Sequence, residues 1–377
     1  MIFAARGSFG VKPLFYYNSQ NILAFSSEAA VFDRLYSCNF SNTAMEEYRC
    51  LRYPIFSHSY FNNVYEVLPG SCYVKGTYFS PLDYIGRQYS PASTEVLETI
   101  IQSSVESRAI SDVGVGLLLS KGIDSNLLKS LEKYDNFFSI GFKGDEDLTY
   151  VKNNVNNVTM VECDSKLYRE TFFKLRRLRG EPLSVPNEVL LYLIARRARQ
   201  DDIKVLHSGE GADEFFGGYD RIFRWALTMK TEFNLDQFLT LYCYQRPLRN
   251  SELYQSFLDL FQSLRGLTCF EKVRFFFIRY HLPILFRRLD FSLMAAGVEG
   301  REPLATVDLF QAATKLSAET LVDDKLGKIP LRNIMENHMG KIFATSKKVG
   351  FPVDLQNIFA EYAGLSNYEI WYELNRS

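Results

Sequence analysis

Between residues 113 and 207, short apolar runs alternate with stretches of helical periodicity, an order that few folds accommodate. Residues 113–119 read as a buried strand, 124–134 as a helix, 137–142 as a strand, 149–156 as a helix and 158–162 as a strand. Helices over 165–179 and 187–199 then lead to a strand at 203–207. Runs that are apolar throughout belong to strands covered on both faces, and strands separated by helices pair in parallel. The expectation is an α/β domain with a parallel sheet whose ligand site lies at the carboxyl ends of the strands.

Upstream, short aromatic runs at 13–17, 22–25 and 70–74, with Asn18-Ser19 as a turn, predict a small β-rich region. The composition turns polar at 90–94, and a helix follows from about 95 to 108 with Val96, Ile100, Ile101 and Val105 on one side. A boundary near residue 90 divides the chain into 1–88 and 89–377. After about residue 212 the chain reads mostly as helices, a helical elaboration of the α/β domain, with no repeat period.

Composition excludes more than it identifies. Apolar residues at 47% and charged residues at 23% rule out a disordered chain, and 377 residues suffice for two domains. Lys and Arg number 43 against 44 Asp and Glu, so no overall charge draws the chain to nucleic acid or an anionic membrane. Its 6 cysteines are scattered without a C-x-x-C pair and its 4 histidines form no H-x-x-x-H pair, which argues against zinc and for reduced thiols. No apolar run reaches the roughly 18 residues of a membrane helix, and residues 1–7 lack a signal-peptide pattern, so a cytoplasmic location is expected.

Two segments carry chemistry. Leu118-Leu119-Ser120-Lys121-Gly122-Ile123-Asp124-Ser125 sits where a strand ends and a helix begins, so backbone amides and a helix N-terminus can cradle an anion. Ser120 and Ser125 add hydroxyl donors, and Asp124 a hard carboxylate suited to Mg²⁺. Taken alone, Ser120 or Asp124 would serve equally as a helix N-cap. The second segment, Ser208-Gly209-Glu210-Gly211-Ala212-Asp213-Glu214-Phe215-Phe216-Gly217-Gly218-Tyr219, packs four glycines and three carboxylates into a dozen residues. Such a stretch makes a poor packing element, and suits backbone approaching a ligand and carboxylates facing a cation.

Taken with Phe138-Ser139-Ile140-Gly141-Phe142, Glu181-Pro182, Val298-Glu299-Gly300-Arg301-Glu302-Pro303, Lys328 with Leu331-Arg332, and Lys347-Lys348-Val349-Gly350-Phe351, these segments resemble, in order, the class B asparagine synthetases and related ATP-pyrophosphatase-type amide ligases. The resemblance implies that Mg-ATP activates a carboxylate, with aspartate as the first choice, as an acyl-adenylate, and that ammonia then forms the amide. It implies that Ser120, Gly122 and Ser125 hold ATP phosphates, that Leu118, Ile140, Ser208 and Gly209 border the nucleotide, and that Asp124 and Asp213 bind Mg²⁺. It assigns Glu210 as base for the attacking amine, Lys348 as the charge that stabilises the adenylate, and Glu299 as its support. By the residues themselves, Lys348 in a Lys-Lys pair reads equally as solvated and Glu299 as an ion-pair partner of Arg301.

Departures from the family pattern are equally specific. Lys121 replaces the first glycine of Ser-Gly-Gly-x-Asp-Ser, Leu304-Ala305-Thr306 stands where relatives usually carry Phe-Leu-Asp, and Ser346 where they often carry Arg. At 121 a side chain either opposes close backbone approach or an unusual φ, or pairs with the anion; the residues leave both open. Residues 6–17, Ser27-Glu28 and Val67-Leu68-Pro69-Gly70 resemble the late part of a class II glutamine amidotransferase domain, whose nucleophile is an N-terminal cysteine. Here Met1 is followed by Ile2 and the first cysteine is Cys38, so a truncated amidotransferase part without glutaminase activity is expected, with ammonia drawn from solution or a separate glutaminase subunit. Self-association is left open. Two other readings stay open as well: amidation of a sugar uronic acid or a peptide, and a non-catalytic nucleotide-binding homologue.

Overall fold

The computed structural model describes residues 2–19, 21–87, 89–90, 92–230, 232–346 and 353–376. Near the amino end, β1 (Phe15–Ser19) lies between β2 (Ile22–Ser26) and β3 (Val64–Glu66), antiparallel to both. A short ribbon pairs β4 (Ser71–Cys72) with β5 (Gly76–Thr77). Between β2 and β3 run two helices that the aromatic content did not announce, α1 (Ala30–Tyr36) and α2 (Asn42–Leu51). Ser41 caps α2 by accepting the Ala44 N–H, and Ala44, Glu47, Tyr48 and Leu51 recur at helical spacing on its buried side.

The main sheet is parallel, in the order β10-β9-β6-β7-β8. Its strands are β6 (Val115–Leu118), β7 (Asn136–Phe142), β8 (Val158–Cys163), β9 (Val205–His207) and β10 (Glu299–Arg301). Helices α3 (Thr94–Ala109), α4 (Ile123–Leu131), α5 (Glu146–Asn154), α6 (Ser165–Arg179) and α7 (Asn187–Gln200) precede or connect the first four of them. The expected α/β class and the four expected strands are present; β10 is an addition. From β6 the chain runs outward to β7 and β8, then returns to place β9 on the other side, which opens a crevice above the carboxyl ends of β6 and β9.

Among the described residues the rest is mostly helical, as expected, apart from β10: α8 (Ala212–Phe216), α9 (Asp220–Met229), α10 (Leu235–Tyr242), α11 (Glu252–Ser263), α12 (Cys269–Phe276), α13 (Leu282–Met294), α14 (Val307–Thr314), α15 (Ala318–Leu321), α16 (Ile329–Met339), α17 (Lys341–Ala344), α18 (Leu355–Ile358) and α19 (Asn367–Arg376). A π turn at Phe277–His281 joins α12 to α13. The largest hydrophobic core runs across the change of composition near residue 90. The Phe9 ring lies edge-on to Phe79, Phe215 and Phe310 with centroids 5.3, 5.1 and 5.3 Å away, so the amino-terminal segment and the helical part share one packed interior. No helix among the described residues is long and apolar enough to cross a membrane.

Candidate active site

The loop after β6 is bound to itself. Ser120 Oγ accepts the Gly122 N–H at 3.0 Å, Ser125 Oγ accepts the Ser120 N–H at 3.2 Å, and Asn126 Nδ2 donates to the carbonyls of Ser120 and Gly122 at 2.9 and 2.8 Å. With the loop carbonyls occupied, the amides at the start of α4, which have no acceptor within the helix, form the polar floor of the crevice. Asn126, fully buried, is a loop-ordering residue absent from the expected set; its position one residue past Ser125 was the only signal.

Lys121 does not enter the crevice. Its N–H donates to Asp147 Oδ1 at 2.9 Å, and its ammonium lies 3.6 Å from Glu146 at the start of α5. Its φ is not left-handed, so the lysine meets no backbone strain there.

After β9, the Ser208 N–H bonds to Arg301 O at 3.0 Å, and Gly209 is pressed against α4. A Cβ at 209 would stand 2.7 Å from Asp124 Cβ and 3.3 Å from Ser125 N. Gly211, at φ 101°, then turns the chain into α8, which carries Asp213 and Glu214.

Between these loops lies a cavity of about 230 Å³. Leu118, Ser120, Gly122, Asp124, Ser125, Ile140, Ser208, Gly209, Glu210 and Asp213 all line it, and Phe138, Leu190, Leu191 and Ile194 supply an apolar wall. Two expected residues are not among its lining. Glu299 sits on β10, 3.1 Å from Arg301 Nε, and faces separate clefts shared with Lys12. Lys348 lies outside the described residues.

The electrostatics are set by partners far away in sequence. Arg288 of α13 donates to Glu210 Oε1 at 2.6 Å, fixing this carboxylate at the edge of the cavity. Lys328, at the start of α16, reaches both oxygens of Asp124 at 2.8 and 2.7 Å and Asp213 Oδ1 at 2.7 Å. Behind Asp213, burial together with the neighbouring Asp213 charge pushes the Glu214 carboxyl up to about 8, opposed by a 2.5 Å hydrogen bond from Tyr219. Tyr219 OH also lies 3.1 Å from His281 Nε2, and Tyr242 OH 3.0 Å from His281 Nδ1. Burial holds His281 down to about 3, so the imidazole is neutral and the cluster adds no positive charge behind the acids.

Asp124 and Asp213 thus converge on one cationic point. Mg²⁺ is commonly held by one or two carboxylates with phosphate oxygens completing its shell, and this pair fits that pattern. Among the described residues no group of three or more His, Cys, Asp or Glu could hold a metal, so the remaining ligands would have to come from outside the protein's side chains. The α4 amides, the bare backbone at Gly209 and the apolar wall likewise fit a nucleotide, with phosphates at the helix end and the flat face of a base against the apolar side chains of α7.

Comparison with known families gives two matches: the asparagine synthase model over residues 96–368, and the glutamine amidotransferase domain model over residues 1–82. A putative asparagine synthetase [glutamine-hydrolyzing] 1 of Methanocaldococcus jannaschii is 29% identical over 239 residues, 58% of this chain and 43% of that protein. Asparagine synthetase [glutamine-hydrolyzing] 1 of Bacillus subtilis is 28% identical over 250 residues, 61% of this chain and 39% of that protein. For asparagine synthetase B of Escherichia coli the figures are 25% over 163 residues, 36% and 29%. In each case the match spans less than half of the relative's length. Since the match over 96–368 takes in most of the chain, including both loops that meet in the crevice and all five strands of the parallel sheet, the chain belongs to the asparagine synthase family and has the ATP-pyrophosphatase type of α/β fold.

Proposed function

We propose that the cavity uses ATP to adenylate a carboxylate, releasing pyrophosphate, and that ammonia then displaces AMP to leave an amide; aspartate is the carboxylate and asparagine the product. One observation carries the reading: Ser120–Ser125 and Ser208–Asp213, more than 80 residues apart, meet where Gly209 has no room for a side chain, at the switch point of the sheet. In this reading Ser120, Gly122, Ser125 and the first amides of α4 take the phosphates, while Leu118, Ile140, Ser208 and Gly209 border the nucleoside. Asp124 and Asp213 hold the Mg²⁺ that neutralises phosphate charge. Glu210, fixed by Arg288, faces the attacking amine. Lys348 supplies positive charge to the adenylate, while Glu299, ion-paired with Arg301 outside the cavity lining, has no direct role there. The compartment in this reading is the cytoplasm.

The test is direct. Purified protein is incubated with ATP, MgCl₂, ammonium and aspartate, and pyrophosphate and asparagine are both measured. Equal amounts of the two are expected. Pyrophosphate no higher than in a control without carboxylate would overturn the adenylation reading, and selective turnover of a uronic acid or a peptide would reassign the acceptor.

A further inference from the structure

Lys328 is the most elaborately built residue of the cavity region, although the family pattern marks it only as a lysine ahead of Leu331-Arg332. It is 4% exposed, and its backbone is left-handed at φ 58°, a conformation that a lysine takes only where its surroundings impose it. The constraint is visible on both sides. Its N–H donates to Phe216 O at 3.2 Å, the Gly327 N–H to Asp220 Oδ1 at 3.0 Å, and Arg332 Nε to Gly327 O at 2.8 Å. A Cβ at Gly327 would collide with Gly217 O. A Cβ at Gly218 would fall inside both Lys328 Cε and Asp213 Oδ1, so the glycine pair after α8 clears the corridor through which this side chain reaches the carboxylates.

We propose that in the nucleotide-free protein the Lys328 ammonium fills the cation position between Asp124 and Asp213, and thereby makes capture of a divalent cation conditional on a polyphosphate. Two carboxylates and one ammonium sum to −1. A bare divalent cation entering the pair has to drive a buried ammonium off its partners and leave it unpaired, which is unfavourable. A cation that arrives with pyrophosphate or a nucleotide triphosphate brings the replacement partner: the ammonium, a point charge with three donors, turns from carboxylate to phosphate without ever losing an anion. With the metal in place the cluster carries +1, the sign a polyphosphate needs. Metal and nucleotide therefore enter together, and the empty protein does not accumulate metal.

This inference rests on the nucleotide reading above, but its test reads metal capture and not amide synthesis. Free Mn²⁺ is followed by electron paramagnetic resonance in titrations of the full chain, with and without inorganic pyrophosphate and after correction for the Mn–pyrophosphate complex. Wild-type protein is expected to bind Mn²⁺ at least about tenfold more tightly with pyrophosphate present. Lys328→Met is expected to bind Mn²⁺ without pyrophosphate at least about tenfold more tightly than wild type, and adding Asp213→Asn is expected to abolish the gain. Wild-type affinity unaffected by pyrophosphate, or a folded Lys328→Met no tighter than wild type, would overturn the proposal. Should Lys328→Met fail to fold, the wild-type titrations decide alone. A chain that releases no pyrophosphate from any carboxylate would sink the amidation reading and leave this result standing.

Discussion

At position 209 a single methyl group would separate two loops that must touch. The added Cβ of Gly209→Ala would lie 2.7 Å from Asp124 Cβ and 3.2 Å from Asp124 C, so either the Ser208–Asp213 loop or the start of α4 has to shift. Overpacking of this kind costs about 1–3 kcal/mol of stability, whereas displacing reacting groups by about 1 Å can cost about 10²-fold in rate. Gly209→Ala is therefore expected to lower kcat for pyrophosphate release by about 100-fold while circular dichroism reports a folded protein. At Gly122 the same change meets only Ser120 Oγ, at 3.0 Å, and that hydroxyl can rotate away; Gly122→Ala serves as the milder comparison. Equal activity losses in the two variants would show that the contact at 209 is not what positions the loops. Ser120, Gly122, Asp124, Ser125, Ser208, Gly209, Glu210 and Asp213 stood out in the sequence because they belong to two compact local patterns of glycine, hydroxyl and carboxylate, whereas Leu118 and Ile140 were marked only by the family resemblance. Arg288 and the role of Lys328 were not, because an ion pair made across 78 or 204 residues leaves no local trace.

The strands most readable in the sequence are those buried on both faces: β6 and β7 are apolar runs whose helical connections force them to be parallel. β10 was unreadable for the opposite reason. Glu299, Gly300 and Arg301 have little intrinsic preference for a strand, and are one because β9 offers a parallel edge opposite Val205, Leu206 and His207. In the amino-terminal segment aromatic residues imitate strand composition, yet Phe32 and Tyr48 face inward from helices. What secures that segment to the sheet is α13. Arg287 donates to Tyr53 OH and to Glu181 Oε1, and its guanidinium lies 4.5 Å from the Phe15 ring. Arg179 completes the set, 3.1 Å from Glu181 and 2.5 Å from Glu188, with all four charged side chains almost wholly buried. Removing one member of a buried ionic group leaves an uncompensated charge and costs about 3–5 kcal/mol. Arg287→Met is expected to lower stability by about that amount in urea unfolding. An unchanged urea midpoint with an unchanged m-value would mean that the network is balanced without Arg287.

Across the molecule's packed cores, burial holds several titratable groups neutral, and their opposing signs shape the dependence of stability on pH. Burial raises Glu302 to about 8, with Lys12 opposing the shift and the Asp290 and Glu210 charges adding to it, and Oε1 of Glu302 has no hydrogen-bond partner among the described residues. Glu214 is likewise raised to about 8. Burial lowers His281 to about 3 and His207 to about 4, the latter opposed by its hydrogen bond to Arg108 O at 3.0 Å. For the two acids the folded value lies above the unfolded value of 4.5, so the native state holds more protons in that interval, and stability falls as pH rises from 4.5 to about 8. For the two histidines the folded value lies below the unfolded 6.5, so stability is lost as pH falls from 6.5 toward 4 and 3. The slopes cancel between 4.5 and 6.5, which predicts a plateau there from these four groups, an alkaline decline between 6.5 and about 8 driven by the acids, and an acid decline below 4.5 driven by the histidines. Glu302→Gln removes one of the two alkaline protons and keeps the side-chain volume. Thermal unfolding of wild type is expected to fall by several degrees between pH 6.5 and about 8, and the variant by about half as much, with the two curves parallel below pH 4.5. Parallel curves across the alkaline interval would show that Glu302 is already ionised when folded, and that the interior around β10 is wetter than its packing implies.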